Sequence, residues 1–320
     1  MFCLSDLQHA MDVVHAHLPA TQQIPWPLLA SRTGAEVWVK HENHLPTGAF
    51  KLRGGIVFAD RHARQNETRQ GRARGLISAT RGNHGQSLAW AGGRFGLQVT
   101  IVVPNGNSVE KNAAMVALGA RLIEYGADFE EAREEAVRLA TEQELIFVPS
   151  FAPDLVKGVA TYALELFQAV PDLDAVYVPV GLGSGICGTI LARDLLGLST
   201  QVIGVQSTGA DCYVQSFAAG HPVPGHRADT KADGIAVRQP DADALRIILA
   251  GAERMVAVTD QQIAAAIGAY WTDTHNLIEG AGAAPLAALL HEAPAMQGKR
   301  VALIASGGNI DLSLFRSWVG

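Results

Sequence analysis

Short apolar runs recur along the chain at 36–40, 75–79, 98–104, 146–149, 175–180, 201–206, 255–258 and 300–306. They are rich in Val, Ile, Leu and Ala and bounded by polar, Gly or Pro residues, the pattern of buried strands. Between them lie stretches with helical spacing of apolar positions, at 83–95, 109–118, 128–144, 158–169, 260–274 and 283–291. Repetition of strand, helix and strand predicts an α/β architecture with mostly parallel sheets. No short repeat and no low-complexity tail interrupts the pattern. The polar, Arg-rich stretch 61–74 reads as a solvated helix face or as a crossing between lobes. Ligands in such folds bind at the carboxyl ends of the strands, which directs attention to the turns that follow the apolar runs.

With 320 residues the chain can build a large core and two lobes. It is 48% hydrophobic and 18% charged, the composition of a soluble globular protein. A formal charge of −6 argues against a nucleic-acid partner. No apolar run is long enough for a membrane span, and the N-terminus lacks a signal-peptide pattern. Cys3, Cys187 and Cys212 are an odd set without metal spacing, so reduced thiols and a cytoplasmic location are expected. The 33 glycines favour ligand sites lined by backbone.

Four turns carry candidate chemistry. Lys51 stands in PTGAFKLRGG, between Phe50 and a glycine pair that suggests a tight backbone turn against a ligand. A desolvated lysine has a lowered pKa and can act as nucleophile, base or Schiff-base partner. The bland alternative is a surface lysine in a loop. Gly181, Gly183 and Gly185 with Ser184 lie in GLGSGICG, which follows a strand and opens a helix. Backbone N–H groups there can close around a phosphate, with close helix–strand packing as the alternative. The stretch 183–188 also fits a dinucleotide fingerprint, but the next strand ends at Gln206, without the acidic ribose partner. A simpler phosphate ligand is therefore favoured over NAD. Thr80, Arg81, Gly82, Asn83 and His84 form a donor-rich strand-to-helix turn, in which Thr80 or Asn83 could merely cap the helix. Ser306 ends the last run in SGGN, a weak signal that alone reads as a turn. Together, an amine, a phosphate loop, a donor-rich loop and a terminal serine fit an aldehyde cofactor with a phosphate handle, pyridoxal 5′-phosphate.

These segments, with KADGIAV at 231–237, IEGAGAAPLAAL at 278–289 and ASGGNID at 305–311, occur in the order seen in one family. The chain resembles the fold type II pyridoxal-phosphate enzymes, specifically the threonine/serine dehydratase and serine racemase group, over nearly its whole length. The resemblance implies a tryptophan synthase β-like fold, with a large lobe from 1–69 and 148–320 and a smaller mobile lobe from 70–147. It implies that Lys51 holds the cofactor as a Schiff base beside Phe50 and that Asn83 bonds the ring hydroxyl. It further implies that Gly181, Gly183, Ser184 and Gly185 cradle the phosphate, that Ser306 faces the pyridine nitrogen and that Glu279 lies near the ring. Homodimers are common in that family. The implied activity is α,β-elimination of a β-hydroxy-α-amino acid to a 2-oxo acid and ammonium. The substrate would be threonine, serine or a bulkier analogue such as phenylserine or hydroxyaspartate. The rival readings are a β-replacement synthase or racemase of the same fold, and an NAD-dependent dehydrogenase.

Two residues depart from the family pattern. Arg81 replaces the small residue usual before Gly-Asn-His, which in serine racemases is the second acid/base. Arginine stays protonated and shuttles protons poorly. Racemisation is therefore disfavoured, and Arg81 is expected either to contact substrate or to point to solvent. Gln206 stands about where metal-activated relatives have a glutamate. Hard divalent cations want anionic oxygens, so no required metal is expected although Asp211 is close by in sequence.

Overall fold

The computed structural model describes residues 1–68, 75–226 and 228–320, without the side chains of 66–68. The chain opens with helix α1 (Leu4–His15), strand β1 (Gln23–Pro25), α2 (Pro27–Thr33) and β2 (Glu36–His41). Next come α3 (Lys51–Thr68), β3 (Leu76–Ala79), α4 (Asn83–Arg94), β4 (Val99–Val103), α5 (Val109–Ala117) and β5 (Arg121–Glu124). They lead to α6 (Phe129–Glu142), β6 (Ile146–Phe147), α7 (Pro153–Ala169), β7 (Ala175–Pro179), α8 (Ser184–Leu195) and β8 (Gln201–Ser207). The rest is α9 (Cys212–Ala219), α10 (Ala242–Gly251), β9 (Arg254–Val258), α11 (Asp260–Thr274), α12 (Gly280–His291), β10 (Arg300–Ala305) and α13 (Leu312–Val319). Among the described residues no helix is long and apolar enough to cross a membrane.

Two sheets organise these elements. One has six strands in the order β1-β2-β10-β7-β8-β9, parallel except for β1 against β2. The other has four parallel strands in the order β5-β4-β3-β6. Every residue of β3, β4 and β7 is buried, as expected of parallel strands covered by helices on both faces. That is why their sequences read as continuous apolar runs. The two strands absent from the expected set, β1 and β5, are short edge strands without such runs.

The turn expected around Lys51 is instead the start of a helix. Lys51 is the first residue of α3, and Gly54 and Gly55 lie inside it. A glycine in a helix interior costs about 1 kcal/mol relative to alanine, so the pair must serve packing. A Cβ on Gly54 would lie 2.8 Å from the Leu155 carbonyl oxygen of α7, and one on Gly55 would lie 2.2 Å from Ser87 Oγ of α4. On α7, Gly158 reciprocates, since its Cβ would sit 2.4 Å from the Arg53 carbonyl. The glycines thus let α3 press its backbone against two helices. The Arg-rich stretch divides: its first part is the end of α3, while 69–74, which include the expected lobe boundary, lie outside the described residues.

Arg53 is wholly buried two residues beyond Lys51. Its guanidinium donates to Glu42 (2.7 and 3.0 Å), Glu165 (2.6 and 2.8 Å), Thr161 (3.0 Å) and Thr21 (3.2 Å). Lys40, equally buried, donates to Glu165 Oε2 at 2.5 Å, to the Thr21 carbonyl at 2.9 Å and to Gln23 at 3.0 Å. Two cations and two carboxylates therefore balance in the interior, and each guanidinium nitrogen has an acceptor. Burial pushes the Glu165 carboxyl up, but Arg53 and Lys40 outweigh it and hold the group down at about 2. The cluster ties β2 and α7 to the first turn of α3 and so fixes the base from which Lys51 projects.

Candidate active site

Lys51 is placed by the end of the last strand. The Phe50 N–H donates to the Ser306 carbonyl at 2.9 Å, and Ala49 bridges Gly307. The Lys51 Nζ donates to Ser184 Oγ at 3.0 Å and lies 5.1 Å from the Phe50 ring centroid. Desolvation pushes this amine down to about 8. Among the described residues no carboxylate holds it charged in return, so its neutral, nucleophilic form is within reach near neutral pH.

Gly181, Gly183, Ser184 and Gly185 form the turn from β7 into α8. Gly183 is the residue before the helix and has φ +101°, a left-handed conformation that favours glycine. Gly181 has another constraint: a Cβ there would lie 2.4 Å from the Gly234 carbonyl. The Gly185 carbonyl accepts bonds from Tyr162 (2.9 Å) and Thr189 (3.0 Å), which pin the first turn of α8. The result is a rigid helix N-terminus with Ser184 and the Lys51 amine beside it, suited to an anion.

Asn83 and Glu279 meet across the two sheets. Asn83 Nδ2 donates to Glu279 Oε1 at 2.8 Å. Asn309 Nδ2 donates both to the Thr47 carbonyl and to Asn83 Oδ1, each at 2.8 Å. The backbone carbonyl fixes the Asn309 amide, and Asn309 then fixes Asn83 with its oxygen occupied. Asn83 is thereby left with a second N–H for a ligand. Asn309, in the same turn as Ser306, was not among the sequence candidates, although it stands in the quoted SGGN motif. Burial pushes the Glu279 carboxyl up to about 7 despite Lys111, which acts in the opposite direction.

The remaining turn separates into unlike positions. Gly82 precedes α4 as its capping residue, so neither Thr80 nor Asn83 is the cap; Thr80 Oγ1 accepts the Gly82 N–H at 3.2 Å. His84 is buried, and burial, with the Lys51 charge adding to it, pushes its imidazole down to about 3. Arg81 is exposed, with no hydrogen bond or ion pair from its guanidinium among the described residues. Ser306 is buried at the carboxyl end of β10. Lys111 was not anticipated: its stem packs on Gly82, where a Cβ would lie 2.7 Å from Lys111 Cδ.

Gln206 is wholly buried and engaged at both ends. Its Nε2 donates to the Val180 carbonyl at 3.2 Å, and its Oε1 accepts the Tyr213 and Val214 N–H groups at 2.8 and 3.3 Å. The amide serves as an uncharged cap on the start of α9, a task a carboxylate could share only in part.

These residues suit an aldehyde carrying a phosphate. An amine of lowered pKa suits covalent attachment to a carbonyl, and the glycine turn at a helix N-terminus suits an anion. His84 Nε2 and Glu279 Oε2, two of the three buried side-chain atoms without a partner among the described residues, belong to this same cluster.

Comparison with known proteins agrees with that chemistry. A family model described as "Pyridoxal-phosphate dependent enzyme" matches residues 15–307. The L-threonine ammonia-lyase of Thermotoga maritima is 34% identical over 315 residues, covering 98% of this chain and 77% of that protein. The processed form of threonine deaminase isoform 2 from Solanum lycopersicum superposes with a TM-score of 0.88 at 29% identity, covering 99% of this chain and 93% of that one. Serine racemase from Dictyostelium discoideum gives a TM-score of 0.88 at 26% identity, over 97% of this chain and 99% of the other.

Proposed function

The chain belongs to the family of pyridoxal-phosphate dependent enzymes, and we propose that its reaction is the elimination of water from L-threonine, with release of 2-oxobutanoate and ammonium. It is a pyridoxal-phosphate-dependent lyase with a mostly parallel α/β fold. The observation that carries the reading is one-sided proton chemistry. Lys51 presents an amine of lowered pKa, whereas the turn from Thr80 to His84 offers the permanently charged Arg81, no carboxylate or thiol, and only an imidazole that burial makes a weak base, at about 3. One base suits abstraction without return to the opposite face, and hence elimination over racemisation.

The cofactor, when bound, supplies the electron sink for the bonds at Cα. Lys51 Nζ, in its neutral form, takes the Cα proton as general base. The Gly181–Gly185 turn and Ser184 would hold the phosphate at the start of α8. Asn83 would offer its second N–H to the ring hydroxyl, and Phe50 would pack beside the ring. Ser306 would offer the ring nitrogen a neutral hydroxyl, which does not stabilise a ring proton as a carboxylate would, so the sink supplied would be a modest one, suited to elimination. Residues 1–69 with 148–320 act as the large lobe and 70–147 as the smaller one, and its closure keeps water from the reacting centre.

The test is 2-oxo acid release across L-threonine, L-serine, D-serine, threo-phenylserine and threo-hydroxyaspartate. Release from L-threonine is the expected result. Silence on every substrate, inversion without keto acid, or a new amino acid formed only with added thiol would each overturn the reading. Within it, Arg81 holds the substrate carboxylate through charge-assisted bonds. Arg81→Ala is then expected to raise KM by about tenfold or more with little change in kcat, and steady-state kinetics showing an unchanged KM would remove Arg81 from the site.

A further inference from the structure

Lys111, on α5 beyond β4, is among the few buried lysines of the chain and has no part in the chemistry above. It forms an ion pair with Asp233, which lies in the KADG segment against the glycine turn. The first turn of α5 makes two more contacts to the same side of the cleft. Ser108 Oγ donates to Asp311 at 2.7 Å, and Glu110 Oε1 accepts the Leu312 N–H at 3.1 Å. Lys111 is therefore held at both ends, its stem on Gly82 and its ammonium on Asp233.

A Cβ on Gly234, the residue after Asp233, would lie 3.9 Å from Glu279 Oε1, so Glu279 faces the segment that holds this pair. Lys111 and Asp233 are the charged groups that face it, and they act in opposite senses. Its other neighbours are neutral: the Asn83 amide and the backbone of Asn309. Asp311 acts on Lys111. Burial pushes Lys111 down, but Asp233 and Glu279 outweigh it, so Lys111 stays a cation.

We infer that Lys111 is a positioning residue for the proposed elimination: held by Asp233 across the cleft, its charge favours the anionic form of Glu279, which accepts the Asn83 N–H and so holds that amide in the orientation that leaves one N–H for the cofactor. The role rests on the reading above, because it gives Asn83 a ligand to meet. A protonated Glu279 would carry a donor of its own and would accept the Asn83 N–H less strongly. Gly82 belongs to the same device, since any side chain there would displace the Lys111 stem.

A merely structural latch and an electrostatic role predict different results from the two halves of one ion pair. Lys111→Met and Asp233→Asn both break the contact between α5 and the KADG segment. A latch predicts that they act alike. Charge control predicts opposite shifts, because one removes the cation beside Glu279 and the other removes the anion. The readout is the infrared carboxylic-acid band lost in Glu279→Gln, followed against pH in the holoenzyme and in the cofactor-free protein, without substrate. In the wild type half of this band should be lost near pH 7, the value to which burial, opposed by Lys111, brings this carboxyl. In Lys111→Met the half-point should rise by about one pH unit or more, and in Asp233→Asn it should fall. Lys111→Arg, which keeps the charge, should restore the wild-type value. The acidic limb of kcat/KM for the keto-acid reaction should move in the same directions. Shifts of the same sign in both variants, or no shift in either, would overturn the inference. Because the band is read without turnover, that failure is distinguishable from silence in the keto-acid assay, which would instead overturn the proposed reaction.

Discussion

Lys51→Ala is expected to lower 2-oxo acid release by about 10⁴-fold or more, the upper range for loss of a positioned general base. The same change removes the covalent anchor, so visible absorbance that survives dialysis of the wild type should be absent. The fold should persist, since position 51 is the first residue of α3 and alanine is a strong helix former. The size of the effect follows from desolvation. An amine brought down to about 8 is neutral in about a quarter of molecules at pH 7.5, against about one in a thousand for an ordinary lysine. Cofactor capture by the cofactor-free protein should accordingly quicken as pH rises through about 8 and slow below it, because only the neutral amine attacks a carbonyl. Lys51→Arg separates charge from chemistry. It retains a donor for Ser184 but cannot deprotonate, and should be as inactive as the alanine variant. Substantial keto-acid release by either variant would show that another group takes the Cα proton.

Arg53→Met is expected to destabilise the protein by about 3–5 kcal/mol, the penalty for leaving buried carboxylates without their cation. Glu165 would keep Lys40 and His15, Glu42 would keep only the Thr21 hydroxyl among its hydrogen-bond partners in the described residues, and the six bonds donated by Arg53 would be lost. The urea midpoint of the cofactor-free protein measures this. Arg53→Lys should fall between the two, because an ammonium keeps the charge but cannot reproduce the paired bonds to both carboxylates. A midpoint unchanged in Arg53→Met would mean that the cluster relaxes around the loss and that Lys51 does not depend on it for its base.

Much of the fold was legible because the strands are buried on both faces. VTIVV and AVYVP announce themselves without any alternation to decode. The turns that follow β3, β7 and β10 were legible because glycines and short polar residues cluster in each of them. The edge strand β5 was missed because RLIE is half polar and only partly buried. Helix α3 was missed because its glycine pair, a turn signal locally, serves contacts with α4 and α7 that the local sequence does not contain. His84 stood in the sequence among candidate substrate contacts, and only its burial shows that its imidazole is held neutral.

By itself the sequence determined the alternation of strand and helix and the separate turns that carry a candidate amine and a candidate anion site. These are local properties, set by side-chain type, periodicity and backbone freedom over a few residues. The tertiary structure alone decided the charge states and orientations. Arg53 meets Glu165 at a separation of 112 residues, Lys111 meets Asp233 at 122, and Asn83 meets Glu279 at 196. Desolvation and Coulomb forces depend on which groups the fold brings within a few ångströms. Whether Lys51 can lose its proton, and whether Glu279 keeps its charge, therefore depends on those distant partners.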